Sequence, residues 1–290
     1  MARIVLVSAS DANFFHLLED LLASIKDGAK RDGFDIAVLD VGLTADQRTK
    51  LGQDGVIVRE PKLDYDVSFF KTPPPPYFRS MTARPHLPRH LPGYDVYLFL
   101  DADCWVQDWE VVRLYVTAAA AKGLAITPEV DRSYGVLFEP ITVAQWRLDT
   151  FLRCFDEKVA RSLATFDMIN SGIFAAHREG PVWAKWSNLL GHLYKRVGEP
   201  FFFAEQAAMN ALIRSGGIGA SLLPARCNWM CNRSEPVTRN NGTVFCEPQP
   251  PHAPLGIIHL TGQTKDRTIE MVDLDGTKRS RTMRYPGARG

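Results

Sequence analysis

Two carboxylates close an apolar run in Val96-Tyr97-Leu98-Phe99-Leu100-Asp101-Ala102-Asp103. On an extended backbone, positions i and i+2 project to the same side, so Asp101 and Asp103 are placed to converge at the carboxyl end of a strand. Two like charges that close call for a cation. Hard oxygen ligands with an open coordination shell suit Mg²⁺ or Mn²⁺ carrying substrate phosphates. By itself such a D-x-D reads as well as a turn. A second short apolar run, Ile257-Ile258, ends in His259 and continues Leu260-Thr261-Gly262-Gln263-Thr264-Lys265. A strand-terminal imidazole supplies a third ligand, which borderline Mn²⁺ accepts better than Mg²⁺ does. Gly262 lets backbone approach a phosphate and Lys265 brings a point charge to it. A lone histidine at a strand end is more often structural; together with the two acids it favours a metal.

Other chemistries lack their residues. No G-x-x-x-x-G-K-[ST], strand-linked G-x-G-x-x-G, G-x-S-x-G or H-E-x-x-H occurs, which argues against a P-loop ATPase, a nicotinamide dehydrogenase, a serine hydrolase or a zincin. Cys227, Cys231 and Cys246 with His252 lack a paired C-x-x-C, so zinc is disfavoured there. Lys plus Arg (34) against Asp plus Glu (33) leaves a net charge of +1, too little to draw the chain onto nucleic acid. The exception is the stretch from Gly276 to Gly290, with Lys278, Arg279, Arg281, Arg284 and Arg289 and no acid. It reads as a frayed, solvated end, with a weak membrane-surface contact as the second reading. No apolar run reaches the ~18 residues that span a bilayer, and Met1 to Ser10 is too short and strand-like for a signal peptide. With an odd number of cysteines, five, reduced thiols in a cytoplasmic protein are expected, free or peripheral to the inner face of the membrane.

The elements that must hold these residues follow from the apolar pattern. Ile4–Ser8, Ile36–Leu39, Val56–Val58 and Asp95–Leu100 read as strands, alternating with helical patterns over Phe14–Ile25 and Thr44–Leu51. That alternation predicts an α/β fold, a mainly parallel sheet flanked by helices on both faces. Further helices are expected at Val111–Ala121, Val143–Leu163, Val182–Val197 and Glu205–Ile213. Further strands are expected at Leu124–Thr127, Met168–Ala176 (interrupted at Asn170-Ser171-Gly172), Ala220–Leu223 and Gly256–His259. Prolines crowd Pro61–Pro92 and Pro224–Pro254, which therefore read as long loops over a site rather than helix or central strand. With 290 residues, 46% of them hydrophobic, one domain over 1–275 is expected, with a basic tail over 276–290.

In this order the chain resembles a family 8-type glycosyltransferase of the GT-A fold, the group that includes glycogenin and bacterial lipopolysaccharide galactosyltransferases. The residues that carry the resemblance are Ser10-Asp11-Ala12-Asn13-Phe14, Tyr77-Phe78-Arg79, Leu100-Asp101-Ala102-Asp103, Ile169-Asn170-Ser171-Gly172-Ile173, Glu205-Gln206 with Asn210, and Ile258-His259-Leu260-Thr261-Gly262 to Lys265. The resemblance implies that Asp11 and Asn13 meet the uracil of a UDP-sugar, although an N-cap turn explains them equally. It implies Arg79, or Arg84 close by, on the nucleotide or sugar. It further implies Asp101, Asp103 and His259 on Mn²⁺ (Mg²⁺ as the alternative), and Asn170 and Gly172 beside the donor sugar. Gln206 is implied near the anomeric carbon of a retaining reaction. The family usually has an acid directly after that glutamine; here Glu205 precedes it and Ala207 follows. Glu205 reads otherwise as a first-turn acid on an amphipathic helix.

The expected activity is transfer of a hexose from a UDP-sugar to a saccharide, glycolipid or protein acceptor, with a nucleotide-binding half at about 1–130 and an acceptor half at 131–275. Trp105, Trp109, Trp229 and the loop from Cys227 to Pro254 are candidates for the acceptor cleft. The alternatives are a sugar nucleotidyltransferase, which would need a Gly-rich basic loop absent from Ser8–Phe14, and a non-catalytic nucleotide-sugar-binding protein.

Overall fold

The computed structural model describes residues 2–135 and 140–288. The first strands alternate with helices as their sequence demands: β1 (Ile4–Ser10), α1 (Phe15–Asp32), β2 (Asp35–Asp40), α2 (Ala45–Gln53) and β3 (Ile57–Arg59). The proline-rich stretch then holds α3 (Phe78–Ala83) and α4 (Leu87–His90), followed by β4 (Val96–Leu100), β5 (Cys104–Val106), α5 (Trp109–Lys122) and β6 (Leu124–Pro128). Next come α6 (Pro140–Cys154), α7 (Glu157–Ala164), β7 (Ile169–His177), α8 (Val182–Val197), α9 (Ala204–Arg214) and β8 (Ser221–Leu222). The chain closes with β9 (Trp229–Met230), β10 (Val237–Arg239), β11 (Val244–Cys246), β12 (Ile257–His259), β13 (Thr268–Val272) and β14 (Lys278–Thr282).

A seven-stranded sheet in the order β3-β2-β1-β4-β7-β6-β8 forms the centre. Neighbours are parallel except where β7 runs antiparallel to β4 and β6. Both faces of the central strands are buried, and alternate residues serve different layers. Val5, Val7, Tyr97 and Phe99 join one core with Trp186 and Leu190 of α8 and Ala207 of α9. Ile4, Leu6, Leu98 and Leu100 join the other with Leu18 and Ile25 of α1 and Val112 and Tyr115 of α5. A smaller sheet, β5-β12-β9, stands over a third cluster containing Trp105, Trp229 and Ile258.

Several expectations change. The apolar stripe from Phe14 continues to Asp32, where Gly33 closes α1 with φ +70. The expected single helix over Val143–Leu163 is two, because Asp156 breaks the pattern and accepts a hydrogen bond from the Val159 N–H to cap α7. Helix also forms inside the proline-rich stretch: Pro88 sits in the first turn of α4, where a missing N–H costs nothing. β7 is continuous through Asn170-Ser171-Gly172, and the irregularity lies instead in its pairing with β6, whose register shifts between Ile126 and Thr127.

The basic end does not fray. Lys278 to Thr282 pair with Thr268 to Val272 in a hairpin, Lys278 meets Glu270 at 2.8 Å, and Arg284 meets Asp20 at 2.6 Å. Arg289 and Gly290 lie outside the described residues. No helix among the described residues is long and apolar enough to cross a membrane. Removing the α7 cap with Asp156→Ala should lower stability by about 1 kcal/mol in chemical denaturation; an unchanged midpoint would show that packing alone ends α6 there.

Candidate functional site

The carboxyl ends of β1, β4 and β6 open into a cavity of about 520 Å³. β4 delivers Asp101 and Asp103 to its floor, though not by pleat alternation. The Cys104 N–H bonds the Asp101 carbonyl at 3.1 Å, so Asp101 to Cys104 form a tight turn that tucks Ala102 into the core and leaves both acids at the cavity. β12 brings His259 to the same point: Nε2 lies 3.2 Å from Asp103 Oδ1 and 3.9 Å from Asp101 Oδ2. Lys265 Nζ lies 2.7 Å from Asp103 Oδ2, held also by the carbonyls of Leu260 (3.1 Å) and Gly262 (3.4 Å). Gly262 has φ +61, and a side chain on Gly172 would collide with Asp101 Oδ2 and His259 Cε1.

A chain of amides fixes the imidazole. Asn228 donates from Nδ2 to Asn170 Oδ1 at 3.0 Å, which turns its Oδ1 toward His259 Nδ1 at 2.9 Å. His259 therefore donates from Nδ1 and presents Nε2 to the carboxylates. Two carboxylate oxygens facing that nitrogen repel its lone pair unless a proton or a cation stands between them. An O, O, N donor set suits Mn²⁺. Cys104 Sγ also lies in a group with Asp103 and His259 whose ligand atoms are within 4.8 Å of one another. Burial, with the neighbouring acids adding to it, pushes that thiol well above its ordinary value.

The electrostatics differ for each acid. Desolvation raises the Asp101 carboxyl above its usual range, with Arg84 opposing and Asp103 adding to the rise. Desolvation acts on Asp103 too, but His259 and Lys265 together hold it below. Arg84 is buried, with its guanidinium 4.5 Å from the Phe99 ring centroid, and pairs with Asp101 and, at 3.3 Å, with Glu205 Oε2. Glu205 is 1% exposed and accepts from Ser171 Oγ at 2.8 Å, while its Oε1 has no hydrogen-bond partner among the described residues. Burial is the main cause that pushes its carboxyl up to about 7.

Asp11, Arg84, Asp101, Asp103, Asn170, Gly172, Glu205, Gln206, His259, Gly262 and Lys265 all line the cavity. Two expected residues do not. Arg79 pairs with Glu60 at 3.0 Å, and of the two expected arginines it is Arg84 that lines the cavity, placed there by the turn that ends α3. Asn13 is exposed; its N–H and that of Phe14 donate to Asp11 Oδ1 at 3.0 Å, the turn that leads into α1. Trp105 and Trp229 are buried in the core, and Trp109 bonds Asp32 at 2.8 Å. Trp146 lines the cavity instead, and the proline-rich stretches contribute Tyr77 and Met81 from one and Met230, Asn232 and Arg233 from the other. Ala207 belongs to the core and does not line the cavity.

Glu129 escaped the sequence reading. It follows β6 as Asp101 follows β4, so the rule that ligands gather at strand carboxyl ends could have found it. It accepts from Arg233 at 2.7 Å, and from Gln206 and Asn170 at 3.3 Å each. Asn228 carries no sequence signal of its role.

No protein-family model matches the chain, and no curated protein matches it by sequence. Solved structures do. The galactosyltransferase LgtC, in complex with donor and acceptor sugar analogs, is 17% identical, aligns over 90% of this chain and 88% of its own, and gives a TM-score of 0.58. The bifunctional glycosyltransferase WbbM is 16% identical over 91% of this chain and 46% of its own, with a TM-score of 0.56. Mouse xyloside xylosyltransferase 1 is 11% identical over 90% and 97%, with a TM-score of 0.53. At such identities the likeness is one of architecture, and the chain has the GT-A fold of these glycosyltransferases.

Proposed function

We propose that the chain is a glycosyltransferase that moves a hexose from a UDP-sugar to a saccharide, lipid-linked or protein acceptor, with retention and with Mn²⁺, or Mg²⁺ in its place, at the diphosphate. The observation that carries this reading is the convergence of Asp101, Asp103 and His259, with Lys265 beside them, on one floor of a cavity of the size small-molecule ligands fill. The GT-A fold supports it, as does the likeness to LgtC, a galactosyltransferase solved with donor and acceptor sugar analogs. The nucleotide-binding half is about 1–130 and the acceptor half 131–275, and from the latter His259 and Lys265 also reach the diphosphate site.

In this reading Asp11 meets the base, and Arg84 and Lys265 meet the phosphates or the donor sugar. Asp101, Asp103 and His259 would hold the metal. When bound, the ion neutralises charge that grows on the diphosphate only as the glycosidic bond breaks, which favours the transition state over the ground state. The chain's own groups are already set for that task. Lys265 is anchored by two carbonyls and one carboxylate, so its ammonium is oriented before a phosphate arrives. Gln206, held by its Nε2 donation to Glu129, lines the cavity and in this reading meets the anomeric carbon there. Glu205 and Arg84 form a buried pair at the cavity lining, with Glu205 Oε2 held by Arg84 and Ser171.

Asp103→Ala and His259→Ala should each lower UDP release in the presence of acceptor by roughly 10³-fold with folding intact, since Lewis-acid stabilisation is worth several kcal/mol. Full activity in Asp103→Ala would end the metal-site reading, and UDP-sugar binding without turnover in the wild type would favour a binding protein. A second expectation concerns stability. Folding lifts Glu205 from its ordinary 4.5 to about 7, so the folded chain keeps a proton that the unfolded chain loses first. The contribution is full below the ordinary value and is lost as pH climbs through about 7. Wild type should therefore lose about 3 kcal/mol relative to Glu205→Gln in denaturant titrations between acid and mildly alkaline buffer; a constant difference would show that Glu205 is not shifted.

A further inference from the structure

We propose, resting on the glycosyl-transfer reading above, that the acceptor is a neutral saccharide that lays one ring face on an aromatic wall built from Trp146, Phe202 and Phe203. These rings touch in series. Trp146 and Phe203 meet edge to face at 5.5 Å and 85°, and Phe202 and Phe203 do so at 5.1 Å and 86°. All three line the cavity, yet Phe202 is 53% exposed. A large ring left half bare at the mouth of a reactive cavity is apolar surface waiting for a partner. Flat aromatic faces complement the C–H face of a pyranose, with hydroxyls left free to meet polar groups at the edge.

The inner end of the wall supplies those groups and sets the charge. Arg233 lies 5.2 Å from the Trp146 ring centroid and is paired with Glu129 at 2.7 Å, so neither charge is left over. The other Glu129 oxygen takes the Gln206 amide at 3.3 Å. Among the described residues the charges of Arg233 and Glu129 beside these rings offset each other, so a phosphorylated or carboxylated acceptor gains no free cation from this pair and a cationic one no free carboxylate. Saccharide hydroxyls can add hydrogen bonds to the Glu129 carboxylate, whose oxygens each accept at more than one site, and a plain aliphatic chain cannot.

The test is a titration followed by tryptophan fluorescence, with UDP and Mn²⁺ present throughout. Neutral disaccharides (maltose, cellobiose, lactose) are compared with glucose 1-phosphate and glucuronate. At least one neutral sugar should change the emission saturably, and that change should be lost in Trp146→Phe. Phe202→Ala should weaken the apparent affinity by about tenfold, the size of one good aromatic contact. Phe166→Ala, an exposed ring outside the cavity, should bind like wild type. In turnover with the same sugar, Phe202→Ala should raise the acceptor KM by about tenfold and move the donor KM by less than about twofold. The proposal is overturned if no neutral sugar binds by roughly 10 mM, if either anion binds more tightly, or if both aromatic variants bind as wild type does. Sugar binding without any transfer would sink the catalytic reading and leave this one standing.

Discussion

The arrangement of the site depends on the register of a three-stranded sheet. β12 pairs with β5 so that His259 lies opposite Cys104, the residue directly after Asp103, and with β9 so that it lies beside Met230. Two hydrogen bonds lock that register: Leu260 N to the Asp103 carbonyl at 2.8 Å and Cys231 N to the His259 carbonyl at 3.0 Å. Side chains alternate along a strand, so a slip of one residue would swing His259 off the cavity and set an apolar side chain against two carboxylates. Ile257 and Ile258 resist the slip, because each is fully buried in a different cluster. The imidazole is thus positioned by apolar packing on either side of its strand.

Around that point the charges are stored in pairs. Arg84 serves Asp101 and Glu205, Lys265 serves Asp103, and Arg233 serves Glu129. Removing one member of a buried pair leaves the other uncompensated, at a cost of roughly 3–5 kcal/mol, whereas the intact pair adds little to stability. Such pairs are better understood as devices of position. They hold side chains in one orientation before a ligand arrives.

Much of this was readable from the chain. The apolar runs located the strands of the central sheet because both of their faces are buried, and the D-x-D with the distant histidine located the cavity floor. Contributions that depend on tertiary contact were not readable. Arg79 and Arg84 are both arginines of one proline-rich stretch, and only the turn after α3 decides that Arg84 enters the cavity. Asn228 acts by orienting His259 through Nδ1, a role set by a neighbour 31 positions away. The short strands β5 and β9 to β11 are two or three residues long, too short to carry a periodic pattern. The hairpin of β13 and β14 was obscured by its basic residues, whose charges find partners only once the chain is folded.

The most direct measurement is electron paramagnetic resonance of Mn²⁺ titrated into the protein with UDP present. Hydrated Mn²⁺ should lose its sharp signal as wild type takes up the ion, and the loss should depend on UDP. His259→Ala and Asp103→Ala should leave the signal of free Mn²⁺ in place. Unchanged hydrated Mn²⁺ with the wild type, or equal uptake by the wild type and His259→Ala, would contradict a metal held by these three side chains.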